Sequence, residues 1–504
     1  MKNQNRNNTD VSVISHQVRS GYRPASLDDC LAHLRKYFDS FAAVRDTWRR
    51  RNMGYYLELV RYYRYHVQPN ASVLEMGCGT GDLLAALEPD YGVGVDISPA
   101  MIQRAKAKYP ALEFVCGAAE TAELNGRTFD YIILSDLLGY SYDITALFNR
   151  LRVYCHARTR IIVNLHSHLW QPLLSIAETC GLKYRQPVIN WVTREDVANM
   201  GTLAGFDVVQ SYATTLLPKR IPLLSAFCNR VLAPFAPFRW FCLVNWIVLR
   251  LPMHPMQKTA TEVPDEPTVT VICPCRNEAG NIPLIVERLP KIGRHTELIY
   301  VEGHSEDGSL EACHQAKACH PEMDISVYQQ TGKGKKDAVW LGFRKANGDI
   351  VMILDADMTV PPEDLTAFYE TLVSGRAEFV NGSRLVYPME GRAMRFLNLM
   401  GNKFFSWCFS FIIGQPIKDT LCGTKVLLRS DLKRLLAGQS YFGHFDPFGD
   451  FDLIFGSAKL GLKIVDLPIR YRDRTYGTTQ ISRWRHGWLL LKMVGFGILR
   501  MKMR

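Results

Sequence analysis

The chain has 504 residues, more than the ~250–300 at which a single hydrophobic core stops growing, so two domains of ordinary size are expected. A hydrophobic content of 47% excludes a disordered polymer, and 60 Lys+Arg against 49 Asp+Glu leave a net charge of +11. That excess suits anionic partners such as nucleotide phosphates and acidic lipid headgroups.

Residues 1–26 are polar and Asn-rich at their start, with no apolar signal core, so a flexible segment and no secretion are expected. The 13 cysteines carry no metal-ligand spacing, and Cys273-Pro-Cys275 lies inside an apolar strand pattern without a second pair. Reduced, buried thiols in a cytoplasmic protein follow. Leu27 to Val67 reads as helix dense in Arg and Tyr, a lid or packing element with no assigned chemistry.

Ser72-Val-Leu-Glu-Met76 then reads as a buried strand running into Gly77-Cys-Gly-Thr-Gly81 and a helix from Asp82. Glycines at a strand-to-helix turn let the backbone approach a ligand closely. The next strand, Tyr91 to Val95, ends at Asp96, 21 residues beyond Glu75, a distance at which an acid can hold ribose hydroxyls. The spacing is GxGxG with an acid two residues ahead, which sets it apart from the GxGxxG of dinucleotide sites. These residues, with Gly94-Val-Asp-Ile97 and Phe129-Asp-Tyr-Ile-Ile-Leu-Ser-Asp136, resemble the class I S-adenosylmethionine-dependent methyltransferases over about residues 40–250.

The resemblance implies a Rossmann-like α/β domain at 27–252 that binds S-adenosyl-L-methionine. It places Glu75, Gly77, Cys78, Gly79 and Gly81 at the methionine end and Asp96, followed by Ile97, at the ribose, with Ala119 and Asp136 completing the cofactor set. Ala118 stands where such enzymes usually carry an acid against the adenine amino group; Glu120 is the nearest substitute. A base for methyl transfer to oxygen is sought at His166, which with His168 follows the expected fifth strand Arg160 to Leu165, or at Tyr140 and Tyr142. The alternative reading makes the domain a cofactor-binding or scaffolding module without methyl transfer.

Two apolar stretches fall short of the ~18–20 residues of a spanning helix. Ile221 to Pro252 is interrupted by Arg230, Arg239, Asn245, Arg250 and prolines. The other, within a basic tail at 481–504, runs from Gly487 to Leu499 between Arg485 and Arg500 and suits either an interfacial helix on an anionic membrane or a core helix. Proline-rich 253–267 reads as the linker between the two α/β regions.

The second region opens with the strand Thr268 to Ile272 and Cys-Pro-Cys-Arg-Asn-Glu278. A second strand, Glu297 to Val301, delivers Glu302-Gly-His-Ser-Glu-Asp-Gly308, and Thr331-Gly-Lys-Gly-Lys-Lys-Asp-Ala338 is a basic glycine loop suited to phosphate. Asp349 to Leu354 is a strand ending in Asp355-Ala-Asp357, two carboxylates able to hold a hard divalent cation that keeps waters and bridges phosphates. This order resembles family 2 glycosyltransferases, most closely their polyprenyl-phosphate branch, over about residues 268–480.

That resemblance implies a GT-A-type domain taking a UDP- or GDP-sugar with Mg²⁺ or Mn²⁺. Pro274, Arg276 and Glu278 fall in the nucleotide pocket, and Glu302 takes the place of the base-contacting acid, usually aspartate. Lys333, Gly334, Asp337, Lys425 and Arg474 join the nucleotide-sugar site, with Asp355 near the ribose and diphosphate and Asp357 on the metal. Asp419-Thr-Leu-Cys-Gly-Thr-Lys425 resembles the acceptor-side loop, and Asp452 of Gly449-Asp-Phe-Asp452 replaces the usual Glu. A polyprenyl-phosphate acceptor needs no general base; a glycan hydroxyl needs Asp452, or failing that Asp450. The whole reads as a bifunctional enzyme of cell-surface glycan synthesis that binds no nucleic acid.

Overall fold

The computed structural model describes residues 26–187, 190, 192–252, 266–384, 396–438, 449–469, 476 and 483–503. The N-terminal segment up to residue 25, the linker residues 253–265 and Arg474 lie outside the described residues. The chain divides into two compact units at Pro252/Met253.

Three helices open the first unit, Leu27–Ala42, Arg45–Arg51 and Met53–His66. The first is capped by Ser26, whose side chain accepts from the Asp29 N–H, with Asp28 and Asp29 complementing the helix dipole. Its buried residues Cys30, Leu34, Tyr37 and Phe41 recur at helical spacing, and Tyr37 and Phe41 pack with Met101 of the helix Pro99–Lys108.

The sheet comprises β1 Ser72–Met76, β2 Tyr91–Asp96, β3 Glu113–Cys116, β4 Phe129–Ser135, β5 Cys155–His166, β6 Asp207–Thr214 and β7 Val244–Arg250. Its order is β3-β2-β1-β4-β5-β7-β6, with β1 to β5 parallel and β7 antiparallel to both neighbours. Val73, Leu74, Ile132, Ile133, Ile162 and Val163 are fully buried, as expected of strands covered on both faces. Strand order reverses between β1 and β4, so the loops after these strands open the crevice where such sheets take ligands.

The second unit carries β8 Val269–Cys275, β9 Thr296–Glu302, β10 Asp324–Gln329, β11 Ile350–Ile353, β12 Phe379–Ser383, β13 Lys425–Leu428 and β14 Ile464–Pro468. Their order is β10-β9-β8-β11-β13-β12-β14; β8 to β11 are parallel, and β13 runs antiparallel between β11 and β12. Helix Lys335–Lys345 packs on β8 at Gly342, where any Cβ would collide with Ile272.

The apolar tail forms the helix Arg483–Gly497. Leu490 and Met493, with Met501 beyond it, are buried in the core that also holds Phe409 and Ile412 of the helix Phe396–Ile413. The opposite faces leave Trp407, Trp488, Leu491 and Leu499 exposed. No helix among the described residues is long and apolar enough to cross a membrane.

Candidate active sites of the two units

The glycine loop of the first unit begins where β1 ends. Gly77, Gly79 and Gly81 sit at φ of +76°, +55° and +76°, left-handed conformations that cost any other residue strain. The Gly79 N–H donates to Asp96 Oδ2 at 2.8 Å, and the Ser98 N–H donates to Oδ1 at 2.9 Å, so Asp96 ties the loop to the end of β2. Below it, Glu75 Oε2 accepts from the Leu84 N–H at 3.0 Å. Burial pushes the Glu75 carboxyl up to about 8, against the opposing pull of Arg45 and that N–H.

A cavity of about 180 Å³ opens above the loop, lined by Glu75, Gly77, Gly79, Asp96, Ile97 and Ala119, and at its far side by Asp136. Cys78 and Gly81 do not line it. Cys78 is buried with its sulfur against Gly94, and Gly81 packs on Phe114. Ala118 and Glu120 both line the wall, and Ser141 Oγ donates to Glu120 at 3.0 Å, so an acid stands two residues beyond the expected position.

Arg45, Arg49 and Tyr56 reach the cavity from the opening helices and were not anticipated from sequence. The Arg45 guanidinium donates to Asp82 Oδ2 at 2.9 Å and to Thr80 Oγ1, and lies so close over the loop that a Cβ at Gly79 would strike it. The four-residue spacing of Arg45 and Arg49, which puts both on one helical face, is the signal that could have found them.

Asp136 has φ +52° and accepts from the Tyr55 hydroxyl (2.6 Å) and Asn164 Nδ2 (2.7 Å), while Asn164 Oδ1 accepts from Tyr63 (2.6 Å). The His166 ring lies 5.5 Å from that of Tyr55, and burial lowers its pKa, but it does not line the cavity. Tyr140 does line it, its hydroxyl held protonated by burial, whereas Tyr142 is exposed.

In the second unit the acids named from sequence stand against lysines. Lys335 Nζ is 2.6 Å from Asp355, Lys336 Nζ is 2.7 Å from Asp452, and the fully buried Lys425 is 3.0 Å from Asp450. Burial opposes charge on Asp355, but Lys335 prevails and holds its pKa below the usual value; the same pair raises that of Lys335. A side chain at Gly423 would collide with the Asp355 carboxylate and the Lys335 ammonium, so glycine is required there.

Lys333, the lysine singled out from sequence, is exposed, while Gly334 has φ +88° and Asp337 Oδ2 accepts from the Gly332 N–H at 2.8 Å to close the loop. Lys335 and Lys336, which begin the following helix, are the ones turned toward the acids.

Asp357 Oδ1 accepts from the Thr359 N–H (3.1 Å) and hydroxyl (2.6 Å). Among the described residues no three His, Cys, Asp or Glu gather to hold an ion unaided. Asp355 and Asp357 fit a hard divalent cation whose remaining ligands are water and phosphate.

On the nucleotide side, Pro274 lies in β8 and Arg276 is exposed beyond it. Glu278 is buried and accepts from Asn281 Nδ2 at 2.6 Å. Glu302 accepts from the Ser305 N–H (2.5 Å) and Gln329 Nε2 (3.0 Å), and these bonds outweigh burial and hold its carboxyl low. Asp419 is fully buried, paired with Arg384 at 2.7 Å and accepting from the Leu421 and Cys422 N–H groups, which anchors the loop leading to Gly423 and Lys425.

Residues 270–435 match the family model described as glycosyl transferase family 2, and residues 73–156 match that of a methyltransferase domain. An undecaprenyl-phosphate 4-deoxy-4-formamido-L-arabinose transferase of Pectobacterium carotovorum is 32% identical over 226 residues, 44% of this chain. This chain spans 64% of that relative's length. A polyprenol monophosphomannose synthase of Mycolicibacterium smegmatis is 25% identical over 47% of this chain and 90% of its own length. A solved magnesium protoporphyrin IX methyltransferase from Synechocystis with bound SAH covers 44% of this chain and 99% of its own, with 17% identity and a TM-score of 0.32. The protein thus has two α/β domains, one Rossmann-like with a methyltransferase fold and one GT-A-like. It combines a family 2 glycosyltransferase domain with a methyltransferase-fold domain.

The raised carboxyl of Glu75 has a consequence for stability. Its folded value of about 8 lies above the ordinary 4.5 of a glutamate, so the stability it contributes is complete below about pH 4.5 and is lost as pH rises through 8. Glu75→Gln is expected to remove that loss, raising the melting temperature of the first unit at pH 8 by roughly 5 °C relative to wild type. Parallel melting-temperature profiles of the two proteins between pH 5 and 8 would contradict it.

Proposed function

We propose that the chain is a bifunctional enzyme. The second unit transfers a sugar, with inversion, from a UDP- or GDP-sugar to a polyprenyl phosphate, and the first is an S-adenosylmethionine-dependent methyltransferase of the same cell-surface glycan pathway. The observation that carries the first part is the set of three lysine–carboxylate pairs around Asp355, Asp450 and Asp452. The named relatives, one an undecaprenyl-phosphate sugar transferase and one a polyprenol monophosphomannose synthase, support the same acceptor class.

The chemistry follows from charge. An oxygen of the acceptor phosphate, already an anion, attacks the anomeric carbon; the bond from that carbon to the nucleotide diphosphate breaks, and its electron pair leaves on the diphosphate oxygen. Lys335, poised between Asp355 and the glycine loop, is suited to meet that developing charge. A Mg²⁺ or Mn²⁺ held by Asp357 with Asp355 would supply further charge to the leaving diphosphate. No proton has to be taken. A hydroxyl acceptor would need Asp452 or Asp450 as base, and both are engaged by lysines, which favours the phosphate reading.

The apolar face bearing Trp407, Trp488, Leu491 and Leu499, with Lys403, Lys492 and Arg500 exposed on the same two helical segments, supports peripheral attachment at the cytoplasmic face of an anionic membrane. In the first unit, the Gly77–Gly81 loop with Asp96 supports S-adenosylmethionine binding, and Arg45 is placed to pair with the cofactor's carboxylate.

With radiolabelled UDP- and GDP-sugars, polyprenyl phosphate and membrane extract, label is expected in the lipid fraction. Asp357→Asn and Gly423→Ala should each lower transfer by about a hundredfold or more while the protein stays folded. Equal transfer by wild type and Asp357→Asn would remove the metal assignment, and label confined to polymer would replace the phosphate acceptor by a hydroxyl. In calorimetry with S-adenosylmethionine, Arg45→Ala should weaken binding by about tenfold or more, the worth of one charge-assisted pair. Unchanged affinity would release Arg45 from that role. Tight binding without methyl transfer to any glycan acceptor would make the unit a cofactor-binding module.

A further inference from the structure

Between β6 and β7 the first unit makes an excursion, residues 215–243, that contributes no strand to the sheet. Its backbone forms helical turns at Leu224–Ala226, Phe227–Leu232 and Phe238–Phe241. The outward side chains are large and apolar: Leu223 is 88% exposed, Trp240 64%, and Phe227 and Phe241 more than half. Leu223 also holds φ +61°, a conformation unfavourable for a leucine, at the most exposed point. On the helix Gln171–Thr179 and the turn before it, Leu173 and Leu169 add to the exposed apolar surface.

A patch of this extent on a soluble surface marks an interaction site. Its charge identifies the partner. Lys219, Arg220, Arg230 and Arg239 lie within the same 23 residues, and no Asp or Glu occurs between Asp207 and Glu262. A second copy seated on this face by twofold symmetry would bring like charges together, and charged residues are depleted at the centres of such interfaces. Apolar and aromatic side chains with basic residues among them suit an anionic bilayer, and the acids beside them, Glu178 of the 171–179 helix and Glu58 near Arg230, are paired with Lys183 and Arg61.

The excursion is fastened to the wall of the cofactor cavity. β5 and β6 both end on Val244, with His166 and Thr214 as its register partners. The Ser167 N–H donates to the Leu243 carbonyl at 2.7 Å, and Trp170 Nε1 to that of Phe241 at 2.8 Å. On the other side, the backbone of Pro218–Arg220 presses on Gly54 so closely that a Cβ there would lie 2.8 Å from it. The next residues are Tyr55, bonded to Asp136, and Tyr56, which lines the cavity.

We propose that residues 219–241, with the 171–179 helix, dock the first unit on an anionic lipid surface, from which it takes its methyl acceptor. The docking stands independently of catalysis; only the acceptor clause rests on the methyltransferase reading.

The test uses the full chain carrying Trp407→Glu and Trp488→Glu, so that the second unit's apolar face is disabled. Hydrogen exchange read by mass spectrometry should show peptides spanning 219–241 protected by phosphatidylglycerol vesicles and not by phosphatidylcholine vesicles. Adding Leu223→Glu and Trp240→Glu, or separately Arg220→Glu and Arg230→Glu, should lower the vesicle-bound fraction about tenfold or more in flotation, with S-adenosylmethionine binding retained as evidence of folding. Absence of protection on phosphatidylglycerol overturns the proposal. So does protection that appears without lipid as protein concentration rises, which would mean a second copy occupies the face. Protection with no S-adenosylmethionine binding would instead overturn the methyltransferase reading and leave the docking intact.

Discussion

A parallel strand buried on both faces can carry few polar side chains, each of which must be satisfied, so chemistry gathers at and just beyond its C-terminal end. Both units are organised by this constraint. In β1 the residues before Met76 are buried, and Gly77 to Gly81 turn the backbone immediately beyond. In β11 the run Ile350–Ile353 is fully apolar, and Asp355 and Asp357 follow. The first unit therefore presents backbone N–H groups and one tying carboxylate, the second presents side-chain charge, and each site inherits its precision from a rigid sheet below.

The two ends solve opposite electrostatic problems. The first unit's pocket gathers Glu75, Asp82 and Asp96 near the guanidinium groups of Arg45 and Arg49, and leaves Glu75 with burial dominant and its carboxyl raised. The second site instead matches Asp355, Asp450 and Asp452 each with a lysine, and Lys335 keeps the Asp355 carboxylate ionised against its burial. The buried Asp419–Arg384 pair sets the height of the intervening loop, and Gly423 lets that loop lie against Lys335 and Asp355.

Legibility in the sequence followed locality. Ser72–Met76 stands out as a strand by its apolar Val73, Leu74 and Met76, and the glycines that follow it announce a turn that they make without strain. Asp96 could be picked by distance along the chain, since one strand–helix–strand unit has a nearly fixed length. The spacing of Arg45 and Arg49 shows a shared helical face, but not that this face meets the loop, because the contact joins residues 35 apart through a helix whose docking angle no local pattern encodes. Lys333 was preferred to Lys335 and Lys336 for a similar reason. Glycine spacing indicates a phosphate loop, but which lysine turns inward is decided by where the helix beginning at Lys335 lies on β8. The apolar character of 221–241 was plain, but not that its helical turns would expose those side chains instead of burying them.

Two apolar, basic-rimmed faces on one chain have a physical consequence that neither has alone. Each unit carries its own, and a bilayer is a common plane that both can meet without the units being fixed to each other. Were both faces to dock on one bilayer, two weak contacts would combine into a firm one. The same confinement acts on substrates. A lipid-borne acceptor released by one unit stays in the plane that the other samples, and encounters occur in two dimensions. On the proposed reading, the exposed aromatic residues and the net charge of +11 would serve to bring each unit to a lipid surface where its acceptor resides.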